Sequence, residues 1–276
     1  MVVVMDAEAI KKRIESTFNE VSTRYDRNHF FVLSAQQMVE RVTEGVDPSH
    51  PLRVLDVSTG TGNVAIALAE KLPNAHIEGV DLSLGMLAQA QDNVAKKGLT
   101  HITFRQCDAE NLPYENETFD LITCGYALFF YPNMETTYQA MCQKVKPGGR
   151  LIFSSFTQEA FTPYAELCLQ RLEIEYGIEP PRAMMARLKT AQQMEALATL
   201  SQPKNINIKH CQIRYEVTLL EWWDLLNNAG YKGLIDQLTP EQKVAFKQAH
   251  LAEIEAITTH GRFELNADTW FALVQS

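Results

Sequence analysis

Positive charge is scarce in this sequence: 25 Lys and Arg stand against 34 Asp and Glu, a formal net charge of −9 over 276 residues. Binding to a phosphate backbone is driven by clustered cations, so nucleic acid is not an expected partner. The five cysteines (Cys107, Cys124, Cys142, Cys168, Cys211) are odd in number and contain no Cys-x-x-Cys pair. They read as small buried hydrophobes of a reducing compartment, which makes a cytoplasmic location the expectation. No apolar run approaches membrane-spanning length, so no stable membrane insertion is expected. Val2–Met5 is too short for a signal-peptide core and is followed at once by Asp6, Glu8, Lys11 and Lys12. Internal repeats and low-complexity linkers are missing, and no set of clustered carboxylates suggests a metal.

What is present is ordinary globular material, 46% apolar and 21% charged, enough for one large α/β domain or for a domain with a substantial insertion. The organising stretch runs from Leu52 to Asp81. Leu52–Val57 is a short aliphatic run suited to a buried parallel strand, and Ser58-Thr59-Gly60-Thr61-Gly62 follows it. Asn63–Lys71 predicts a small-residue helix, and Ile77–Val80 a second strand with Asp81 at its carboxyl end. Glycines let a backbone pass close to a ligand, a helix start offers free N–H groups, and an acid after the next strand suits ribose hydroxyls. The stretch points to a nucleoside-containing cofactor without saying which.

The alternation continues. Ser83 is the expected cap of a helix ending at Gly98; His101–Cys107 and Phe119–Cys124 are expected strands; Met134–Lys144 is an expected helix; Lys146–Gly149 is an expected turn into a fifth strand, Arg150–Ser155. Strand and helix in turn give βαβ units and a parallel sheet. Residues 1–45 carry two helical patterns, Asp6–Arg24 and Phe30–Val42, and read as an N-terminal lid because Tyr25, Asp26, His29, Phe30 and Phe31 cluster just before the cofactor strand. A plain cover for the sheet edge is the other reading. The remainder, 46–276, reads as the main domain with helical insertions at about 158–200 and 218–260. Asn205–Val217 and Phe263–Val274 are expected to be two late strands that complete the sheet by an antiparallel return.

Gly60-x-Gly62-x-x-Ala65 with Asp81 downstream also fits a dinucleotide fingerprint. Against it, no Tyr is followed four residues later by Lys, Asp108-Ala109-Glu110 offers a carboxylate where an adenine amine could donate, and Pro147-Gly148-Gly149 makes a tight turn. With these features the chain resembles the class I S-adenosylmethionine-dependent methyltransferases, and among them the ubiquinone/menaquinone-biosynthesis (UbiE-like) methyltransferases. The matching blocks are Phe18-x-x-Val21-Ser22-x-x-Tyr25-Asp26, Val54-Leu55-Asp56-Val57-x-x-Gly60-Thr61-Gly62, Gly79-Val80-Asp81-x-Ser83-x-x-Met86-Leu87, Asp108-Ala109-Glu110-x-Leu112-Pro113, Phe119-Asp120-Leu121-Ile122 and Lys146-Pro147-Gly148-Gly149-Arg150-Leu151. They cover roughly residues 18–155. One departure is Ser58, where the usual loop carries a glycine.

The resemblance implies a doubly wound, mostly parallel seven-stranded sheet and methyl transfer from S-adenosylmethionine to a small acceptor. It implies that Asp56 faces the methionine ammonium, that Gly60 and Gly62 admit the cofactor, and that Asp81 holds the ribose diol. Asp108 with the Ala109 N–H reads the adenine, Gly125 contributes a carbonyl, and Thr59, Leu82 and Met86 complete the cofactor set. The Ser58 hydroxyl and Tyr25 are further candidates for the methionine carboxylate, Tyr25 being equally readable as a packed lid aromatic. His29 and Tyr126 are the candidate general bases. The aromatic run Tyr126–Tyr131 together with Trp222 suggests an apolar or aromatic acceptor pocket, with Phe129, Phe130 and Trp222 as its expected lining; rings that only anchor the insertion on the core are the other reading. The Asn/Asp-Pro-Pro-Tyr element and any Pro-Cys pair are missing, which removes two nucleic-acid methylation patterns. A non-catalytic S-adenosylmethionine-binding protein and a nicotinamide-dependent reductase stay open as alternatives, as does the oligomeric state, with a homodimer one case.

Overall fold

The structure, a computed structural model, describes residues 6–228 and 230–276; Val2–Met5 and the expected helix end at Ala229 lie outside the described residues. The chain begins with α1 (Ala7–Val21), a 3₁₀ turn over Ser22–Arg27 and α2 (Phe30–Val42). It continues through β1 (Arg53–Val57), α3 (Asn63–Lys71), β2 (His76–Asp81), α4 (Leu84–Lys97), β3 (Ile102–Gln106), β4 (Phe119–Gly125), α5 (Met134–Gln143) and β5 (Val145–Phe156). Then come α6 (Tyr164–Tyr176), α7 (Arg182–Met185), α8 (Ala191–Thr199), β6 (Asn205–Cys211), β7 (Arg214–Thr218), α9 (Leu219–Asn228), α10 (Lys232–Ile235), α11 (Pro240–Ala256), β8 (Arg262–Asn266) and β9 (Thr269–Gln275).

Seven strands form the main sheet in the order β3-β2-β1-β4-β5-β9-β6, and β9 alone runs antiparallel to its neighbours. The order reverses between β1 and β4, so loops at their carboxyl ends part there and leave a crevice. The expected helix caps are in place: the Ser83 hydroxyl accepts from the Met86 N–H at 3.1 Å, and Gly98 closes α4 in the left-handed conformation. One face of the sheet packs Leu55, Ile122, Leu151 and Phe153 under α5 and α8, and the other packs Val54, Ile77, Leu121 and Ile152 under α2 and α3.

The two late strands are each broken in two. Asn205–Val217 divides into β6 and β7, and Phe263–Val274 into β8 and β9; β7 and β8 pair with each other in a separate two-stranded sheet. Buried Asp268 makes the corner: its Oδ1 accepts from the Ile213 N–H at 3.1 Å, while the Ala267 N–H donates to the Ile213 carbonyl at 2.8 Å. Both ribbons leave the main sheet together at that point. The expected turn at Lys146–Gly149 is an excursion within β5, where Val145 and Arg150 face Phe119 and Leu121 on β4, and the Gly148 N–H donates to the Ser276 carbonyl at 3.2 Å.

The later helices fall into two groups. Met194 and Leu197 of α8 join the core beneath the main sheet. Helices α6, α9, α10 and α11 instead enclose a core of their own, built on Cys168, Leu172, Trp222, Leu226, Phe246 and Ile254 with Phe30 of α2 packed into it.

Candidate functional site

The loop after β1 is held in shape by three positive φ angles, at Ser58 (54°), Gly60 (56°) and Gly62 (85°), and by the Thr59 N–H donating to the Val80 carbonyl of β2 at 2.9 Å. Beneath it Asp56 is 1% exposed. Its Oδ1 accepts from Thr123 Oγ1 at 2.6 Å and its Oδ2 from Thr59 Oγ1 at 2.6 Å. Burial pushes the Asp56 carboxyl up to about 6; the two threonine donors pull the other way and the charge of Asp81 adds to the rise. A carboxylate kept out of water in this way gains most from a cationic partner.

Asp81 at the end of β2 accepts from the Gly60 N–H at 2.9 Å with one oxygen and from the Ser83 N–H at 2.9 Å with the other. Burial raises its pKa, and the backbone donors from Ser83 and Gly60 oppose the rise. One carboxylate thus orders both the glycine loop and the start of α4, and each oxygen keeps a lone pair for a hydroxyl donor. The β2 backbone can approach this loop because residue 79 is glycine: a Cβ there would lie 2.7 Å from the Phe104 ring and 2.9 Å from Thr59 Oγ1.

At the end of β3, Asp108 Oδ1 accepts from the Glu110 N–H at 2.9 Å. Its Oδ2 receives a bond of 2.7 Å from Lys11 Nζ of α1, and the same ammonium also pairs with Glu110. Burial alone would lower the Lys11 pKa, but the hydrogen bonds to Asp108 and Glu110 outweigh it and raise it. Two more contacts tie the N-terminal segment to the cofactor motifs. Asn19 Oδ1 accepts from Ser83 Oγ at 2.7 Å and from the Gly85 N–H at 2.8 Å, and Asp26 accepts from Asn63 at 3.1 Å and Asn93 at 2.7 Å.

These elements line an open cleft, and a smaller one adjoins it. The larger is walled by Ser58, Gly60, Asp81, Leu82, Met86, Asp108, Ala109, Gly125 and Phe130, with Lys11, Ile14, Glu15 and Phe18 of α1 across from them. Asp56 and Thr59 face the smaller one, and Tyr25 and Tyr126 border both. Tyr25 is stacked on Phe31 at 4.5 Å and meets Phe18 edge-on at 6.0 Å; burial and the charges of Asp81 and Asp26 raise its pKa.

Five of the sequence-predicted residues stand elsewhere or differently. Gly62 opens α3, and a Cβ there would meet Ala90 and Phe104 at 3.2 and 3.3 Å, so it serves the packing of the helix rather than the cleft wall. His29 is exposed, at the start of α2, and borders neither cleft. Tyr126 bonds Ser34 at 2.7 Å and Thr269 at 2.6 Å through its phenol, and burial raises its pKa, so its oxygen is already engaged by protein partners and stays neutral. Phe129 packs on the core under the sheet, next to Phe130, which does line the cleft. Trp222 is fully buried in the C-terminal core with its indole N–H on His250 Nε2 at 3.0 Å, because α9 turns that face toward α11. Sequence reasoning missed Lys11 and Tyr131. Lys11 sits between apolar positions of an amphipathic helix and gives no signal, whereas Tyr131 belonged to the aromatic run.

A profile described as a methyltransferase domain matches residues 49–216. The demethylmenaquinone methyltransferase of Porphyromonas gingivalis is 30% identical over 166 residues, 58% of this chain and 68% of that protein. Among solved structures, the YcgJ protein from Bacillus subtilis superimposes with a TM-score of 0.57 at 18% identity, over 87% of this chain and 98% of the other. The phosphoethanolamine N-methyltransferase 2 of Haemonchus contortus, solved with S-adenosyl-L-methionine, gives 0.54 at 20% identity over 87% and 52%. At those identities the likeness is one of fold.

Proposed function

The chain belongs to the methyltransferase domain family, and on that premise we propose that it is an enzyme transferring a methyl group from S-adenosylmethionine to a small aromatic acceptor of the quinol or phenol type. The observation that carries this reading is one cleft whose lining brings together the glycine loop, Asp81 and Asp108 with the rings of Phe18, Tyr25, Phe130 and Tyr131. The donor set suits the cofactor: Asp81 for the ribose diol, Asp108 and the Ala109 N–H for the adenine, and Asp56, whose burial favours a cation, for the methionine ammonium. When bound, S-adenosylmethionine supplies a methyl group already activated on a sulfonium. The protein's part is alignment and the exclusion of water. Tyr25 borders both clefts, α1 lines the larger and α2 the smaller, which suits residues 1–45 to the role of a lid.

The name of the Porphyromonas relative supports a quinol as the acceptor to try first. The fit of an apolar ring rests on the aromatic wall. Among the described residues no helix is long and apolar enough to cross a membrane, and all five cysteines are unpaired, Cys124 and Cys168 buried, in keeping with a reducing, cytoplasmic setting. A homodimer is the assembly to test, by light scattering.

Transfer of labelled methyl to naphthoquinols, phenols and amines, with S-adenosylhomocysteine calorimetry alongside, tests the reading. Transfer to a quinol or phenol supports it. Binding without transfer to any acceptor leaves the non-catalytic alternative, and absence of binding removes the cofactor.

A further inference from the structure

We propose that Tyr131 is a positioning residue for the cofactor loop, its phenol holding Ser58 in the left-handed conformation that a glycine would adopt unaided. The proposal rests on the cofactor reading above. Ser58 sits at φ 54°, a region disfavoured for a residue with a Cβ. Its hydroxyl has a partner in the protein, because Ser58 Oγ and Tyr131 Oη share a hydrogen bond. Both residues line the larger cleft.

Tyr131 is itself anchored. Its N–H donates to the Leu128 carbonyl at 3.2 Å, closing the 3₁₀ turn after β4, and its carbonyl accepts from Arg187 Nη1 at 2.8 Å. The ring is half-buried on the core under the sheet, and burial raises its pKa well above that of a free phenol, so the hydroxyl stays neutral and able to bond at any working pH. The phenol is therefore a fixed post. Ser58 leaning on it sets the next residues, among them the Gly60 N–H that donates to Asp81. Without the post, a serine relaxes toward negative φ in the ligand-free chain and must be driven back when the cofactor binds. A glycine at 58 has no such preference, so the tyrosine should matter only while serine is there.

Four proteins test this: the natural chain, Tyr131→Phe, Ser58→Gly and the double variant, each titrated calorimetrically with S-adenosylhomocysteine after urea denaturation has shown that it folds. Tyr131→Phe should weaken binding about tenfold with Ser58 present and less than twofold in the Ser58→Gly background. Equal loss in both backgrounds would mean that the phenol touches the cofactor itself and would overturn the proposal, as would no loss with Ser58 present. If the natural chain binds no S-adenosylhomocysteine, the cofactor reading falls and this proposal with it.

Discussion

Lys11 Nζ lies 2.7 Å from Asp108 Oδ2, joining the first helix of the chain to a carboxylate 97 residues later in the wall of the larger cleft. The other face of the same helix is tied to the C-terminal helices, where Arg13 donates to the Gly233 carbonyl at 3.0 Å and Glu20 pairs with Lys232 at 2.9 Å. Helix α1 therefore bridges the cofactor motifs and the C-terminal helical core.

Replacing Lys11 by Met removes the anchor at the cofactor side and leaves Asp108 and Glu110 without their shared cation. S-adenosylhomocysteine binding should weaken about tenfold, equivalent to about 1.4 kcal/mol, through faster dissociation. Stopped-flow measurement at low and high salt checks it, the gap between the two proteins narrowing as salt rises. Tighter binding by the variant would mean that Lys11 competes with the nucleoside for Asp108.

Asp56 makes cofactor affinity depend on pH. Its carboxyl is raised to about 6 in the ligand-free protein, first by burial and then by the charge of Asp81. A cationic partner favours the ionised form, so binding near pH 6 should release a proton. Affinity should then fall by up to about tenfold per pH unit below that point. Calorimetry in buffers of different ionisation enthalpy reads the proton. A flat profile in the natural chain would remove Asp56 from the ammonium site; Asp56→Asn should give that flat profile.

His250 makes stability depend on pH. It is fully buried, accepts from the Trp222 indole, and is held down to about 4 by burial and then by the charge of Arg171. The unfolded chain binds its proton near pH 6.5 and the folded one only near 4. Its contribution is thus present above pH 6.5 and is lost as pH falls through that window, by at most about 3 kcal/mol. Asp56 acts oppositely, because its raised carboxyl takes up a proton in the fold before it does so in the unfolded chain. Urea denaturation at pH 7.5 and pH 5 isolates the histidine if the natural chain is compared with His250→Gln, whose slope should be shallower.

Phe130 and Trp222 separate pocket from core. Phe130→Ala should lower transfer to an aromatic acceptor while S-adenosylhomocysteine affinity stays within about threefold, since its ring lines the cleft and carries no polar group for the cofactor to bond. Trp222→Ala empties a fully buried site and should cost about 3–5 kcal/mol of stability, with binding and transfer lost together. Thermal denaturation beside both assays distinguishes the two. Selective loss of acceptor use in Trp222→Ala would return that residue to the pocket.

The sheet and the cofactor wall were legible because they depend on local patterns. Apolar runs, Gly60, the Ser83 cap and acids at strand ends bear their meaning within a few residues. The breaks near Ile213 and Ala267 were not, because exposed residues alternate with less exposed ones on both sides of the bend, and the corner depends on Asp268 reaching another strand. For the same reason Trp222 read as pocket material: a sequence shows that an aromatic will be buried, not what it will be buried against.

Residue type and spacing by themselves determined a mostly parallel α/β sheet with acids at 56, 81 and 108 in or just after its strands. Tertiary structure alone decided that Lys11 would meet Asp108, that Tyr131 would hold Ser58, and that Tyr126 would turn its hydroxyl into the core. Those pairings join positions from 73 to 97 residues apart, and a contact over such a span is set by how whole helices and strands pack, which no local pattern encodes.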